Sequence, residues 1–551
     1  MTNPRVSVLK TAVGLQCFLD RCFLDQETRS SSTQSTPSLA LIQEFGHLRP
    51  QGLGLVPTMG ALHAGHLSLI QRARQENAVV VVSIFVNPLQ FAPGEDFARY
   101  PRSLAADLEL CQSAGVDAVF MPEASDLLSQ EPMTQVMPPP HLTDRLCGRS
   151  RPGHFEGVAT IVLKLLSLVQ PTRAYFGRKD AQQLAILQTM VRDLSLSVDI
   201  VPCPILREPS GLAYSSRNQY LTSVQRQQAA VLSQSLTQAQ ALLRQGYRDR
   251  ETLLGGVRQH LAQEPAVQLE YLEFVHPETL AFLSEVKHTG MIAIAARIGT
   301  TRLIDNVVLD GRRPILAIDG PAGAGKSTVT RRSAAKLGLL YLDTGAMYRA
   351  MTWLVLQSGL SFADEVAIAD LVSQANIELF PGAQPTDPLT VRVNGTDVTA
   401  AIRSLEVTSQ VSTLAAQPAV RQILKQQQQA FGQQGGIAAE GRDIGTHVFP
   451  DAGLKIFLTA SHEERARRRY QELQAAAALS DTPSKTPSIT YEQLVTDIAE
   501  RDRKDSQRAV APLRKAEDAV ELLTDGLSID EVVDEIVTLY HKRCADPSYG
   551  V

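Results

Sequence analysis

Residues 315–330 read ILAIDGPAGAGKSTVT, and this stretch decides the architecture of the second half of the chain. A short apolar run predicts a buried strand, and a glycine-rich turn separates it from a helical pattern. The turn fits G-x-x-x-x-G-K-S, in which glycines let backbone N–H groups converge on phosphate oxygens at the positive end of a helix dipole. The match predicts a phosphate-binding loop, with Lys326 at the outer phosphates and Ser327 on Mg²⁺. The predicted nucleotide-binding residues are Gly320, Gly323, Gly325, Lys326, Ser327 and Thr328.

Length and composition limit the class of protein. The chain has 551 residues, more than the roughly 250–300 residues at which a single core stops growing. A net charge of −5 argues against a nucleic-acid-binding protein or a basic membrane-surface protein. Six cysteines are scattered without a CxxC pair, which favours reduced thiols over a disulfide framework or a zinc site. The most apolar run, residues 78–86, is far shorter than the about 20 residues of a membrane span. We expect a soluble cytoplasmic protein with no nucleic-acid partner and no membrane partner.

The first part of the chain alternates β-branched runs with amphipathic helical patterns. This alternation predicts a doubly wound, Rossmann-like α/β domain with a parallel sheet. Its expected strands are residues 52–57, 78–87, 117–122 and 198–204. The polar segment SSSTQSTPS, residues 30–38, is predicted as a loop between two N-terminal helices.

The pattern changes after residue 222, where two glutamine-rich helical stretches precede apolar segments. This part, to residue 309, is predicted as a small α+β subdomain. The stretch DGRRP, residues 310–314, is typical of a short junction. A second α/β series follows, with strands expected at residues 315–319, 436–440, 454–460 and 520–525. The predicted domains are residues 1–205, 206–309 and 310–551.

Arginine-rich segments accompany the phosphate-binding loop. The loop alone does not distinguish a kinase, an ATPase and a GTPase, although a guanine-reading NKxD motif is absent from the sequence. Arg501, Asp505 and Arg508 have the spacing of one helix face. A four-arginine stretch follows Ser461, which forms a predicted capping box with Glu464. The alternative interpretation of that stretch is a solvated helix with Glu463–Arg467 and Glu464–Arg468 pairs.

Five ordered motifs, DGPAGAGKST, LDTGAMYRA, AEGRDIGTHVFPDA, KIFLTAS and ERDRKDSQRAVAPL, together resemble bacterial cytidylate kinase from about Pro314 onward. The resemblance implies a P-loop nucleoside monophosphate kinase that transfers phosphate from ATP to CMP or dCMP. It places Arg349, Arg442 and Arg508 on the acceptor phosphate, Ser412, Arg421 and Asp443 on the cytosine, and Arg501 and Asp505 on the sugar. It also places Thr344, where relatives often have serine, in the CMP site, and starts a mobile lid at Arg465, Arg467, Arg468 and Arg469.

Residues 56–70, VPTMGALHAGHLSLI, carry a different chemistry. His63 and His66 are three apart at the start of a helical pattern, so their imidazoles share one face, and Gly65 lets a nucleotide approach the backbone. Imidazoles there donate to phosphate oxygens as charge develops in an α-phosphate displacement. The alternative is that one of the two is a capping or buried histidine.

Four further motifs, SIFVNPLQF, RPGHFEGVATIV, YFGRKDAQQL and LAYSSRNQYL, make residues 6–309 resemble pantothenate synthetase, also called pantoate–β-alanine ligase. This family belongs to the HxGH nucleotidyltransferases, and SSRN stands at the position of their KMSKS loop. The resemblance implies that ATP and pantoate give pantoyl adenylate and pyrophosphate, after which β-alanine attacks to give pantothenate and AMP. It further implies Mg²⁺ with ATP, no tightly bound organic cofactor, and a homodimer formed through this half.

Residue roles follow from the same motif positions. The catalytic candidates are His63, His66 and Lys179 in the first half and Lys326 in the second. His66 is usually assigned as the acid, but we favour electrostatic stabilisation by both histidines, with Lys179 and Arg217 neutralising the pyrophosphate. Pantoate is assigned to Gln90 and Gln183, and Gln90 also meets β-alanine. The predicted ATP-binding residues are Met59, Gly60, His63, Gly65, His66, Gly177, Arg178, Lys179, Asp180, Leu206, Tyr214, Ser215, Ser216 and Arg217.

The two halves together resemble a fusion of these two enzymes. One alternative keeps the ligase active but makes the second half a nucleotide-binding regulatory module without kinase activity. A second alternative makes the first half a different HxGH adenylyltransferase.

Overall fold

A computed structural model describes residues 6–30, 52–128, 133–380, 382, 389–478, 490–507 and 511–545. The chain divides into two compact units with the boundary between Gly311 and Arg312. We refer to the part before this boundary as unit 1 and to the part after it as unit 2. The predicted loop at residues 30–38 lies outside the described residues except for Ser30, which ends a helix.

Unit 1 contains a parallel sheet whose described strands run in the order β1-β4-β3-β2-β5-β6. Runs such as VVVVSI form strands buried on both faces, because helices cover the sheet on both sides. The four expected strands are confirmed, and the sequence did not single out β1 and β5 as strands. The bounds are β1 Ser7–Leu9, β2 Leu53–Thr58, β3 Val79–Ile84, β4 Ala118–Phe120, β5 Arg173–Gly177 and β6 Asp199–Cys203.

The helices of this layer connect successive parallel strands. The helix that ends at Ser113 is followed by Gly115 at φ +74°, a conformation that favours glycine after the end of a helix. The bounds are α1 Ala12–Ser30, α2 Ala64–Glu76, α3 Leu104–Ser113, α4 Ala124–Leu127, α5 Pro140–Thr143, α6 Leu146–Ser150, α7 His154–Val169 and α8 Ala181–Asp193.

The rest of unit 1 is the predicted α+β part. Three helices replace the two expected from the glutamine-rich patterns, because Ala230 ends one helix and caps the start of the next, although its own dihedral angles are helical. An antiparallel meander follows, in which the central strand β8 pairs with both neighbours. The bounds are α9 Ser223–Ala229, α10 Val231–Arg244, α11 Arg250–Leu261, β7 Val267–Val275, β8 Thr289–Ile298 and β9 Thr301–Asp310.

Unit 2 has a parallel sheet whose described strands run β11-β15-β10-β16-β17. A separate antiparallel sheet, β12-β13-β14, was not predicted, because its strands are short and lack a strong apolar run. The strands are β10 Leu316–Asp319, β11 Leu340–Asp343, β12 Ile377–Phe380, β13 Thr390–Val393, β14 Thr396–Asp397, β15 Ile437–Gly441, β16 Leu454–Thr459 and β17 Val520–Leu523. The helices are α12 Lys326–Leu337, α13 Thr344–Ser358, α14 Glu365–Ser373, α15 Leu405–Leu414, α16 Pro418–Gly432, α17 His462–Ala478, α18 Tyr491–Gln507 and α19 Ile529–Ala545.

Both motifs stand at the carboxyl end of an interior strand. The histidine motif follows β2, which lies between β3 and β5, and the phosphate-binding loop follows β10, which lies between β15 and β16. Ligands of open α/β sheets bind at this end of the strands. Within the described ranges, none of the helices combines the length and apolar character that a membrane span requires.

Candidate active sites

The two histidines of unit 1 lie side by side at the start of α2. His63 is the N-cap, and its Nδ1 accepts a hydrogen bond from the Gly65 N–H at 3.1 Å. The ring centroids of His63 and His66 are 4.0 Å apart, and the ring of Tyr214 is stacked on that of His63 at 6.0 Å. A Cβ at Gly65 would lie 2.9 Å from His63 Cε1, so glycine is needed for this packing. The capping interpretation is therefore correct for His63, and the cap fixes the orientation of its ring.

Both imidazoles are electrically neutral at neutral pH. Burial, with a smaller contribution from the charge of Lys179, lowers the pKa of His63 to about 4. Burial, followed by His63 and Lys179, lowers the pKa of His66 to about 3. The Nδ1 of His66 is buried and has no hydrogen-bond partner in the described part of the chain. A neutral imidazole carries one N–H donor, so this pair is suited to hydrogen-bonding an anion rather than to releasing an imidazolium proton.

A buried carboxylate holds the loop that precedes the histidines. Asp107, on α3, is 2% exposed, and its two carboxylate oxygens accept hydrogen bonds from the N–H groups of Ala61 and Leu62, each at 2.9 Å. Ser216 Oγ donates to the Ala61 carbonyl at 3.2 Å. The sequence analysis missed Asp107, although an aspartate among the apolar residues LAADLELC was a usable signal.

A cavity of about 620 Å³ brings the predicted ligase residues together. Gly60 and Arg178 are next in sequence to residues that line the cavity but do not line it themselves. Of the predicted residues, the cavity is lined by Met59, His63, Gly65, His66, Gln90, Gly177, Lys179, Asp180, Gln183, Leu206, Tyr214, Ser215, Ser216 and Arg217.

Gln90 is fixed through both its side chain and its backbone. Its Nε2 contacts Met59 Sδ at 2.8 Å, and Asn87 Nδ2 donates to its Oε1 at 3.2 Å. Its backbone carbonyl accepts a hydrogen bond from Arg151 Nη2 at 3.1 Å and lies 2.7 Å from His154 Nδ1. Burial, and then the charge of Arg151, lowers the pKa of His154 to about 4. Arg151 and His154 belong to the quoted RPGHF motif, and the structure gives them a positioning role.

Two adjacent glutamines have different surroundings. The Gln182 side chain is used within the fold: Oε1 accepts from the Cys147 N–H at 2.8 Å, and Nε2 donates to the carbonyls of Leu142 and Arg145 at 2.7 and 2.8 Å. Both residues line the cavity, but only for Gln182 are both ends of the side-chain amide bonded to the backbone of the fold. The pantoate assignment to Gln183 is therefore compatible with the geometry, whereas Gln182 supports the fold.

The predicted ATP residues Lys179 and Arg217 are held by residues that the sequence analysis missed. Asn306 on β9 donates through Nδ2 to the carbonyls of Arg178 and Lys179, both at 2.9 Å, so the α+β part orients the Lys179 loop. Arg217 lines the cavity, but its guanidinium is paired with a carboxylate. Its Nε and Nη2 donate to the carboxylate of Asp96 at 2.9 and 3.0 Å.

The phosphate-binding loop of unit 2 has the backbone that its glycines predict. Gly320 has φ +151°, and a Cβ there would lie 2.0 Å from the Leu458 carbonyl oxygen. Gly325 has φ +86° and is the N-cap of α12. Lys326 is 7% exposed, and its Nζ donates to the Pro321 carbonyl at 2.7 Å, across its own loop. Burial and the nearby Arg442 charge lower the pKa of Lys326.

Two buried carboxyl groups border this loop. Asp319 accepts hydrogen bonds from the N–H groups of Ile444 and Gly445, each at 2.7 Å, and burial raises its pKa to about 6. Burial, followed by the charge of Asp343, raises the pKa of Glu440 to about 7, against the opposing effects of the nearby Tyr341, Lys326 and Ser327 side chains. Asp319 is the last residue of its apolar strand and Glu440 the last but one of its own, a signal that the sequence analysis did not use.

This donor set fits Mg²⁺. The ion prefers oxygen ligands and takes one or two carboxylates, substrate phosphates and water rather than a complete protein cage. Among the described residues, no group of three or more His, Cys, Asp or Glu side chains is placed to hold a metal by itself. The Ser327 hydroxyl beside Glu440 supplies the protein's share of such a site.

The predicted CMP residues that the structure describes mostly have partners within the fold. Arg421 is 6% exposed and forms an ion pair with Asp443. Arg442 Nε pairs with Asp505 at 3.1 Å. The remaining described members behave as follows: Thr344 Oγ1 donates to the Glu440 carbonyl at 2.6 Å, Arg349 Nη1 donates to Thr408 Oγ1 at 2.8 Å, and Ser412 is exposed on α15. Arg508 and the side chain of Arg501 lie outside the described residues.

The four arginines predicted to start the lid are not equivalent. Arg465 is 2% exposed, donates through Nη1 to the Ala322 carbonyl at 2.9 Å and pairs with Asp502, so it ties α17 and α18 to the phosphate-binding loop. The expected Glu464–Arg468 pair is present at 2.7 Å. Arg467 pairs with Glu464, at 2.7 Å, in place of the expected Glu463, because the i,i+3 geometry presents both carboxylate oxygens to its guanidinium.

Comparison with known proteins gives a match for each unit. The family model of pantoate-beta-alanine ligase matches residues 34–308, and the model of cytidylate kinase matches residues 316–542. Among full-length relatives, a bifunctional pantoate ligase/cytidylate kinase of Trichormus variabilis is 55% identical over 97% of this chain and 99% of its own. The protein of the same description from Acaryochloris marina is 56% identical over 98% of this chain and 99% of its own.

A solved structure also matches. The pantothenate synthetase of Thermus thermophilus is 42% identical, covers 55% of this chain and 99% of its own, and has a TM-score of 0.49.

Proposed function

Since the chain belongs to the family of bifunctional pantoate ligase/cytidylate kinases, we propose that each unit carries the complete catalytic set for one of the two reactions. The chain is an enzyme with both activities. It condenses pantoate with β-alanine at the expense of ATP, by way of pantoyl adenylate, and it phosphorylates CMP or dCMP from ATP.

The ligase assignment is carried by one observation: His63, His66, Lys179, Gln90 and Gln183 all line one cavity. The pantoate carboxylate attacks the α-phosphate of ATP, and pyrophosphate leaves. The amine of β-alanine then attacks the acyl carbon, and AMP leaves. We assign Gln90 and Gln183 to holding pantoate beside the phosphate, where an amide can pair with both hydroxyl and carboxylate oxygens.

The histidines act as neutral hydrogen-bond donors in this scheme. An N–H group aimed at a phosphate oxygen is worth most where charge accumulates in the transition state. Because the pKa values of both histidines lie well below 7, an imidazolium acid is a minor species in the free enzyme. Lys179 supplies the fixed positive charge for the leaving pyrophosphate. Arg217 joins it only after exchanging Asp96 for a phosphate oxygen.

The kinase assignment is carried by Lys326 within the glycine loop. Phosphoryl transfer requires alignment of two phosphate groups and neutralisation of their charge, and little covalent work by the protein. Lys326 Nζ exchanges the Pro321 carbonyl for the outer phosphates, where a charge-assisted bond is stronger. Mg²⁺, when bound with ATP beside Ser327 and Glu440, neutralises phosphate charge. Arg349, Arg442, Arg421 and Asp443 are assigned to the acceptor nucleotide.

A product assay on the purified full chain tests both assignments. With ATP and Mg²⁺, we expect pantothenate and AMP only when pantoate and β-alanine are both present, and CDP only when CMP is present. AMP formation that needs neither pantoate nor β-alanine would support a different adenylyltransferase. CMP binding without CDP formation would support the regulatory alternative for unit 2.

The remaining assignments are coarser. We propose Mg²⁺ as the metal for both reactions, a cytoplasmic location, no nucleic-acid partner and a homodimer formed through unit 1. Light scattering of the full chain and of a unit 2 fragment tests the dimer: only the full chain should have twice its monomer mass.

A further inference from the structure

The strand β9 of unit 1 carries two buried polar residues in succession, Asp305 and Asn306. Each residue is 4% exposed, and each lines the ligase cavity. A carboxylate or an amide is costly to bury unless it is hydrogen-bonded. Both side chains are paired, and their partners lie on the two loops that carry predicted ATP-binding residues.

Asp305 fixes Arg207 through both of its carboxylate oxygens. Oδ2 accepts a hydrogen bond from Arg207 Nη1 at 2.6 Å, and Oδ1 accepts one from Arg207 Nη2 at 3.0 Å. The same Nη1 donates to the Gly211 carbonyl at 3.1 Å. A two-bonded pair between an arginine and a carboxylate has a defined geometry. The pair therefore holds the turn of residues 206–214 against β9 in one orientation.

This turn brings apolar surface to the cavity. The Tyr214 N–H donates to the Leu206 carbonyl at 3.1 Å, so these two predicted ATP-binding residues lie side by side, and both line the cavity. Leu206 is 41% exposed. Uncovered apolar surface inside a cavity suits the adenine ring better than the phosphates of ATP. Because Arg207 directly follows Leu206 in the chain, the Asp305–Arg207 pair sets the place of this surface.

Asn306 fixes the other loop. Its Nδ2 donates to the carbonyls of Arg178 and Lys179, each at 2.9 Å, and an amide NH₂ group has two hydrogens for two such bonds. These two residues begin the short 3₁₀ helix Arg178–Asp180. Lys179 lines the cavity and is assigned to the leaving pyrophosphate. Asn306 therefore sets the backbone from which the lysine reaches the phosphates.

Asp305 and Asn306 reach different loops because they are neighbours on one strand, where successive side chains point to opposite faces. Leu303, on the face of Asp305, belongs to the core formed with helices α9, α10 and α11. Ile304, on the face of Asn306, packs against a core that contains Ile186 of α8. The strand pairs with β8 over its whole length. It thus lies between the two loops and is a common reference for both.

We propose that Asp305 and Asn306 are positioning residues that set the spacing between the adenine end and the pyrophosphate end of the ligase ATP site. The proposal rests on the ligase assignment of unit 1 and deepens it, since it gives the α+β part a direct role in aligning ATP. Attack on the α-phosphate requires both ends of the nucleotide to be held in a fixed geometry relative to pantoate. Each of the two residues acts through a loop and not on the reacting atoms.

The two products of ATP cleavage separate the two loops in an experiment. AMP reports the adenine end and pyrophosphate reports the Lys179 end, and the measurement is the inhibition constant of each for pantothenate formation. Asp305→Asn should weaken inhibition by AMP roughly tenfold and inhibition by pyrophosphate much less, because the charge-assisted pair with Arg207 is lost. Asn306→Leu, which keeps the volume but removes both donors, should do the opposite. Both variants should raise KM for ATP and leave KM for pantoate nearly unchanged.

Glu273→Gln is the matched control. It also breaks an arginine–carboxylate pair of the α+β part, with Arg250 at 3.1 Å, but Glu273 does not line the cavity. Its inhibition constants should equal those of the unchanged protein, and thermal melting of every preparation reports folding. If Asp305→Asn does not fold, Arg207→Lys decides in its place. This variant keeps the charge but loses the two-bonded geometry, so it should also weaken inhibition by AMP.

Inhibition constants equal to those of Glu273→Gln in both variants would overturn the proposal. Equal weakening of AMP inhibition and pyrophosphate inhibition in each variant would also overturn it, since that result indicates a general loss of structure. Absence of pantothenate formation by the unchanged chain would instead contradict the ligase assignment itself.

Discussion

Arg217 and Asp96 form a two-bonded ion pair, with N–O distances of 2.9 and 3.0 Å, at the wall of the ligase cavity. The carboxylate of Asp96 is thus bonded to the guanidinium group of Arg217, which the family resemblance assigns to binding pyrophosphate. An arginine held by a carboxylate can bind a phosphate only by exchange, so the carboxylate competes with the ligand.

Arg217→Ala and Asp96→Asn should therefore have opposite effects on pyrophosphate binding. We expect Arg217→Ala to weaken product inhibition by pyrophosphate, and Asp96→Asn to strengthen it, because the neutral amide competes less well for the guanidinium. The measurement is the inhibition constant of pyrophosphate for pantothenate formation. Weaker inhibition in both variants would mean that the Arg217–Asp96 pair only supports the loop. CMP phosphorylation by the same preparations serves as the internal control.

Gln183 and Gln182 provide a matched pair. Gln183→Ala should raise KM for pantoate about tenfold or more and KM for ATP much less, because hydroxyl and carboxylate oxygens of the acid lose a partner in the cavity. Gln182→Ala should instead lower stability by about 1–3 kcal/mol, since it leaves buried backbone groups unpaired. Thermal melting and steady-state kinetics separate the two effects. A raised KM for ATP with unchanged use of pantoate in Gln183→Ala would contradict the assignment.

The pH behaviour of unit 1 should reflect the neutral histidines. The folded pKa values of about 4 and about 3 lie below the ordinary value of 6.5. The stabilising contribution of the neutral forms is therefore complete above pH 6.5 and is lost as pH falls from 6.5 towards these folded values. His66→Asn should flatten the acid side of the stability curve of unit 1, as measured by denaturant unfolding.

The same titration can be observed directly. Histidine NMR of the free protein should show that the imidazoles of His63, His66 and His154 remain neutral at pH 6. Spectra of His63→Asn and His66→Asn identify the two resonances of the motif. A midpoint near 6.5 for either resonance would contradict the neutral-donor account.

Arg465 and Arg467 lie on the same helix, but Arg465 is buried and anchors the helix, whereas Arg467 is exposed. Arg465→Ala leaves Asp502 and the Ala322 carbonyl without a buried partner, and we expect a loss of unit 2 stability of about 3–5 kcal/mol. Arg467→Ala removes a pair exposed to solvent and should change stability little. Chemical unfolding of the two variants is the measurement. If the two variants were equally stable, Arg465 would not anchor the helix and would be as mobile as expected for a lid arginine.

Local motifs made much of the fold and site predictable. The glycines at Gly320 and Gly325 and the capping histidine His63 depend on backbone conformations that a few neighbouring residues decide. Continuous β-branched runs likewise predicted the buried parallel strands, whereas the short strand β1 and the β12–β14 sheet carry no such pattern.

The residues that the sequence analysis missed contact residues that are far away in the sequence. Asp107 is hydrogen-bonded to Ala61, which is 46 residues away in the sequence. Asn306 is hydrogen-bonded to Arg178, which is 128 residues away. Asp96 and Arg217 are 121 residues apart, so their pairing is equally invisible in a local pattern. The family resemblance placed Arg465 with its neighbouring arginines at the start of a lid, and only the folded chain shows Asp502 beside it.

The central claim is that one chain holds two enzymes with separate and complete catalytic sets. It is tested most directly by assaying both activities in a single preparation of Lys326→Ala, with His66→Ala as its counterpart. The account predicts that Lys326→Ala lowers kcat for CMP phosphorylation by roughly 10²–10³ and leaves pantothenate formation nearly unchanged, and that His66→Ala does the reverse. Near-normal CDP production in Lys326→Ala, or loss of both activities in either variant, would contradict it.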